Sequence, residues 1–169
     1  MRAFLKRLLR KAGYELHPRG TLHVNTRQMR NLIRLECLFG RIRSIEGAVV
    51  ECGVGKGRTF LFLAFLIERE KKGRMLYGYD SFEGFPDPSK EDASSRKPQA
   101  GEWSGTSPED IRTLLRQAGI GTGLIRSRVK LVPGFFERTL STYDGGPIAL
   151  LHIDADLYQS YQTALAALV

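Results

Sequence analysis

Cysteine is scarce in this chain: Cys37 and Cys52 are the two present, both within apolar stretches. Two thiols exclude a multi-bridge disulfide framework and a four-thiolate metal site, so both read as small buried hydrophobes in a reducing cytoplasm. Long apolar runs are lacking too. No stretch approaches the ~20 residues needed to span a bilayer, and the opening residues lack the uncharged segment of a secretory signal. No internal repeat is evident. With 169 residues, 42% of them hydrophobic and 26% charged, the chain has room for one globular domain and not for a second.

Acidic residues are sparse at the amino terminus. Residues 1–45 carry 11 Lys or Arg against 2 acidic residues and residues 46–169 carry 15 against 16, so the net charge of +8 belongs to the leader. Phe4, Leu5, Leu8 and Leu9 share one helical face, flanked by Arg2, Lys6, Arg7, Arg10 and Lys11. Residues 1–24 are therefore predicted to form a short basic amphipathic helix and a linker. Such a helix packs its apolar stripe on a neighbouring subunit or domain, or lies on an anionic membrane. No aromatic platform of the kind that stacks bases accompanies it, so no nucleic-acid partner is expected.

From Asn25 to Ile45, the apolar residues Met29, Leu32, Ile33, Leu35, Leu38, Phe39 and Ile42 recur every three or four positions, which predicts a core-facing helix. GAVVECGV reads as a buried strand, and Thr59–Lys72 as a helix stopped by Gly73. RMLYGYD is a second strand, a third begins near Arg128, and IALLHID is a fourth. The segment from Phe82 to Thr106, rich in Pro, Gly, Ser and charge, has no periodicity and follows a strand end, so it reads as a lid. Ser107 and Pro108 then start a helix, with Glu109 and Asp110 in its first turn. Helices alternate with strands along the whole of residues 25–169, which predicts an α/β domain with a parallel sheet.

Chemistry concentrates at three strand ends. Glu51-Cys52-Gly53-Val54-Gly55-Lys56-Gly57 places three glycines at alternate positions after a strand-closing carboxylate. A dinucleotide site needs a different glycine spacing and a pyrophosphate, which Glu51 would repel; a ligand bearing an ammonium and a sulfonium would be attracted instead. Asp80 closes the second strand 27 residues after Gly53, where its carboxylate can accept both hydroxyl protons of a ribose. Asp154 and Asp156, two residues apart after the fourth strand, fall in the crevice where open α/β sheets bind ligands. One can hold a hard divalent cation while the other draws a proton from an acceptor hydroxyl; alternatively, Asp156 caps the helix Tyr158–Val169. His152 reads as a packed strand histidine. Tyr79, Phe85 and Trp103 are candidates to stack on a sugar or aromatic acceptor, or to anchor core and loop.

In order, VVECGVGKGRT, YGYDSFEGFP, LVPGFFERTL and LLHIDADLYQS resemble the macrocin O-methyltransferase family over about residues 25–169. The resemblance implies the Rossmann-like class I methyltransferase sheet, S-adenosyl-L-methionine as cofactor, magnesium as a helper, a hydroxyl acceptor on a sugar or glycosylated natural product, and assembly as a homo-oligomer. It assigns Glu51, Gly53, Gly55 and Gly57 to the methionyl side of the cofactor and Asp80 to its ribose, with Ser81 beside it. Asp154 matches a metal ligand and Asp156 the general base. Members of the family continue with a strand bearing two adjacent aspartates, so the sheet is expected to be truncated after its fourth strand and following helix. The alternative expectation is a non-catalytic remnant that binds cofactor weakly or not at all.

Overall fold

The computed structural model of this chain describes residues 25–169. The predicted leader helix, residues 1–24, lies outside them. Helix α1, Thr26–Arg41, opens with a reciprocal capping box: the Asn25 side chain accepts from Gln28 N at 3.0 Å, and the Gln28 side chain accepts from Asn25 N at 2.9 Å. It ends before the expected Ile45, and its buried positions are Leu35 and Phe39. Met29, Ile33 and Leu38, expected on the core face, are exposed. Their apolar spacing covers a wider arc than the core contacts. Cys37 sits on this exposed side, contrary to expectation, whereas Cys52 is buried.

The chain continues through β1 (Ala48–Cys52), α2 (Arg58–Glu70), β2 (Leu76–Asp80), the lid with one 3-10 turn at Lys90–Asp92, and α3 (Pro108–Gln117). Then follow α4 (Thr122–Arg128), β3 (Val129–Pro133), α5 (Phe136–Thr139), β4 (Ile148–Ile153) and α6 (Tyr158–Leu168). Helix α4 was not anticipated. It is two turns long, buries only Ile125 and contains Gly123, so it carries no apolar period for a sequence reading to find. Its start is secured from outside, where Gly121 N donates to the Glu68 carboxylate at 2.7 Å.

All strand pairs are parallel, in the order β3-β2-β1-β4. Every residue of β1 is buried, as a central strand covered on both faces requires. Alternation sends Val49 to a core shared with α1, α2 and α3, and sends Ala48, Val50 and Cys52 to a second core with Tyr77, Tyr79, Phe136 and Leu140. Tyr79 is fully buried there and is not an acceptor-stacking residue. Buried Arg74 fastens three elements. Its guanidinium donates to Ile42 O at 2.8 Å, to Gly47 O at 2.9 Å and to the Glu70 carboxylate at 2.7 Å. Among the described residues no helix is long and apolar enough to cross a membrane.

The strand order reverses between β1 and β4, the topological switch point at which such sheets bind ligands beyond their carboxyl ends. The glycine loop and the Asp154–Asp156 segment flank this point, with Asp80 one strand away.

Candidate active site

A cleft of about 460 Å³ opens at the switch point and is lined by Glu51, Gly53, Gly55, Asp80, Ser81, Asp154 and Asp156 among others. The three strand ends singled out in the sequence thus meet in one place. Gly57 is the exception: it does not line the cleft. It stands in the left-handed region at φ 78° as the residue before α2, and a Cβ there would come within 2.8 Å of Ile111 and 2.9 Å of Leu114. Its role is to let α3 pack against the loop.

Gly53 has a different task. A Cβ on it would fall 2.1 Å from the Asp154 carbonyl oxygen, so only glycine allows the loop after β1 to touch the loop after β4. The backbone completes that junction: Gly53 N donates to Tyr79 O and Asp154 N donates to Cys52 O, both at 2.8 Å. Gly55 is the open one: among the described residues nothing lies within 4 Å of the space a Cβ would take. Its N–H donates to Asp80 Oδ2 at 2.8 Å, while Asp80 Oδ1 accepts from Phe82 N at 2.7 Å. Asp80 therefore holds the glycine loop and the lid base in place, and each of its oxygens keeps a further lone pair for a ligand hydroxyl. Ser81 spends its hydroxyl proton locally, donating to Gly84 O at 2.6 Å.

Glu51 is the electrostatic centre. It is wholly buried, and among the described residues neither of its carboxylate oxygens has a hydrogen-bond partner. His152, its register partner on β4, places Nδ1 3.2 Å from Glu51 Oε1, within ion-pair distance. Burial pushes the Glu51 carboxyl up to about 7 against the pull of His152, and Glu51 in turn holds the imidazole above its ordinary value. A buried, unsatisfied carboxylate beside a cleft suits a cationic ligand group, because that group would supply the missing partner.

Asp156 stands at φ 62°, a left-handed conformation that marks local strain. It does not cap α6. That role belongs to Asp92 of the lid, whose Oδ1 accepts from Tyr158 N at 2.7 Å. Among the described residues no hydrogen bond occupies the Asp156 side chain. Partial desolvation, and then the neighbouring Asp154 charge, raise its affinity for a proton above that of an ordinary carboxylate. Asp154 is exposed at the mouth of the same cleft. Among the described residues no group of three or more His, Cys, Asp or Glu is arranged to hold a metal ion. Asp154 and its surroundings thus do not fit a magnesium ion by themselves.

Sequence reasoning missed several groups. Gln28 and Arg58 line the cleft from the first turns of α1 and α2, and among the described residues the buried Arg58 Nε has no partner. Nothing in the sequence distinguishes them from surface residues at helix starts. Asp92 was legible in principle, since Ser89-Lys90-Glu91-Asp92 has capping-box spacing, but its long-range partner was not. Of the aromatic candidates, Phe85 and Trp103 line the cleft. Lys56 Nζ lies 5.7 Å from the Trp103 ring centre, and Arg96 lies 5.2 Å over Phe85.

Comparison with known proteins identifies the family and the fold. The family model described as macrocin-O-methyltransferase (TylF) matches residues 4–169. The chain is 31% identical over 130 residues to the 8-demethyl-8-(2,3-dimethoxy-alpha-L-rhamnosyl)-tetracenomycin-C 4'-O-methyltransferase of Streptomyces olivaceus, covering 74% of this chain and 48% of that one. It is 29% identical over 137 residues to the mycinamicin III 3''-O-methyltransferase of Micromonospora griseorubida, covering 77% and 53%. The chain thus spans about half the length of the curated relatives it matches. Among solved structures, the calicheamicin methyltransferase CalS11 superposes with a TM-score of 0.76 at 26% identity, over 85% of this chain and 60% of that one. The O-methyltransferase NovP gives 0.64 at 26% identity, over 80% and 58%. With the sheet order, the glycine loop and the family match in agreement, this chain belongs to the macrocin O-methyltransferase family.

Proposed function

We propose that the chain forms the cofactor-binding part of an S-adenosyl-L-methionine-dependent O-methyltransferase that acts on a hydroxyl of a sugar or glycosylated natural product. The observation that carries this reading is the convergence of an unsatisfied buried Glu51, the open backbone at Gly55 and the strand-end Asp80 on one cleft. Glu51 fits the cationic methionyl end of such a cofactor, and the remaining lone pairs of Asp80 fit the ribose hydroxyls. Gly55, lacking a side chain, leaves room for close approach of the ligand to backbone. When bound, the cofactor supplies an electrophilic methyl group.

The chain's own residues then do three things. The glycine loop and Asp80 fix the donor's position, and alignment of two reactants in this way can contribute about 7–11 kcal/mol. Asp156 would accept the proton of the acceptor hydroxyl as that oxygen bonds to the methyl carbon, the carbon–sulfur bond of the donor breaking to leave neutral S-adenosylhomocysteine. Phe85 and Trp103 wall the acceptor side and restrict water. No step is routed through a metal ion, since the described donor set does not fit one. The tetracenomycin relative's printed activity, O-methylation in a rhamnosyl compound, supports a glycosidic acceptor here.

Titration calorimetry with S-adenosylhomocysteine, paired with turnover on a panel of rhamnosyl glycosides, tests the assignment. Asp80→Ala should weaken cofactor binding at least about tenfold, the loss of a well-placed charged acceptor. Asp156→Asn should leave that affinity within a few-fold and abolish turnover. The reverse pattern would refute both roles.

A further inference from the structure

We propose that Asp92 is a positioning residue: acting from within the lid as the amino-terminal cap of α6, it holds the lid across the acceptor side of the cleft, beside Asp156. The inference rests on the reading of that cleft as a methyl-transfer site. A helix normally takes its cap from the residue just before it. Here that residue is Leu157, which has no side-chain acceptor. The need is met by a carboxylate 66 positions away in sequence: Tyr158 N donates to Asp92 Oδ1 at 2.7 Å. A negative group at a helix start is also favoured by the helix dipole.

The other oxygen of Asp92 ties the cap to the lid. Asp92 Oδ2 accepts from Ser89 N at 2.8 Å and from Ser89 Oγ at 2.9 Å, which closes the turn Lys90–Asp92. Beyond that turn the lid is internally braced. Phe85 N donates to Glu102 O and Gly101 N donates to Phe85 O, both at 2.9 Å. Arg96 pairs with Glu102 at 3.1 Å and lies over Phe85. The lid's cleft-facing residues, Phe85 and Trp103, thus sit on a braced unit with an anchor on α6. That helix begins two residues after Asp156, and Leu157 N donates to Ala155 O at 2.7 Å within the intervening turn. One carboxylate therefore joins the segment bearing the proposed base to the segment bearing the aromatic walls.

Two variants break the same bond from opposite sides. Asp92→Ala removes the acceptor. Tyr158→Pro removes the donor while suiting the first position of a helix, and Leu157 already has the extended backbone (φ −101°, ψ 144°) that a residue before proline requires. Amide hydrogen exchange at Phe85 and Gly101 should be about fivefold faster in either variant, the scale of a lost cap, and no faster in the double variant. Acrylamide quenching of Trp103, the one tryptophan in the chain, should rise in parallel, with S-adenosylhomocysteine affinity held within about threefold. For an acceptor glycoside that is turned over, KM should rise more than kcat falls. Lid exchange unchanged in Tyr158→Pro, or effects that add in the double variant, would overturn the proposal. The exchange and quenching readouts need no acceptor, so they stand apart from a failure to methylate glycosides.

Discussion

Three glycines two residues apart look equivalent in sequence, yet each answers to a different neighbour. Gly53→Ala would drive a Cβ to 2.1 Å from the Asp154 carbonyl at φ 92°, displacing backbone on both sides. A loss on the order of 3 kcal/mol is expected in urea denaturation. Gly55→Ala meets nothing within 4 Å and bears only its φ of 53°, a cost of about 1 kcal/mol; its larger effect should appear in cofactor affinity. Equal destabilisation by the two substitutions would contradict this division. Glu51 gives a pH signature. Its folded pKa of about 7 lies above its ordinary value of 4.5, so the stability it contributes is complete below about pH 4.5 and is lost as pH rises through 7. His152, raised by the same pairing, acts in the same direction. Glu51→Gln cannot ionise, so its Tm relative to the parent should climb between about pH 4.5 and 7 and then level off. A difference that does not vary with pH would show that burial does not hold Glu51 protonated. The glycine spacing and the carboxylate were legible in sequence. Which glycine touches which loop was not, because that depends on backbone brought in from β4 and α3.

At the scale of elements, local chemistry and tertiary fastening can be separated by substitution. Ser107 caps α3, accepting from Asp110 N at 3.2 Å. Ser107→Ala should cost about 1 kcal/mol in a denaturation midpoint. Arg74→Ala should cost more, about 3–5 kcal/mol, because it strands the buried Glu70 carboxylate and the carbonyls of Ile42 and Gly47. A smaller loss for Arg74→Ala than for Ser107→Ala would mean that water replaces the guanidinium. The start of α3 was written in its own residues, Ser107, Pro108, Glu109 and Asp110. Helix α4 was hidden because a two-turn helix with one buried side chain has no period. The cap of α6, which the sequence offered to Asp156 only as an alternative role, falls to Asp92, since a local carboxylate and a distant one are indistinguishable until the lid is placed.

For the whole molecule, charge and fold are segregated. Residues 1–24 carry six Lys or Arg and one Glu, so five of the eight net positive charges lie before Asn25. Among the described residues the cleft is lined from Gln28 onward. Removing residues 1–24 should therefore lower retention on a cation exchanger while leaving S-adenosylhomocysteine affinity within about threefold. A collapse of affinity would show that the leader supports the cofactor site. The sequence by itself determined the alternation of helix and strand, the parallel sheet and the three strand ends where polar residues gather, because hydrophobic period and turn chemistry are local properties. The tertiary structure alone decided that Glu51 is buried opposite His152, that Gly57 packs against α3, that Tyr79 belongs to the core and that Asp92 bonds the start of α6. Each of these turns on which groups from distant positions share a few ångströms, and on the water excluded when they do.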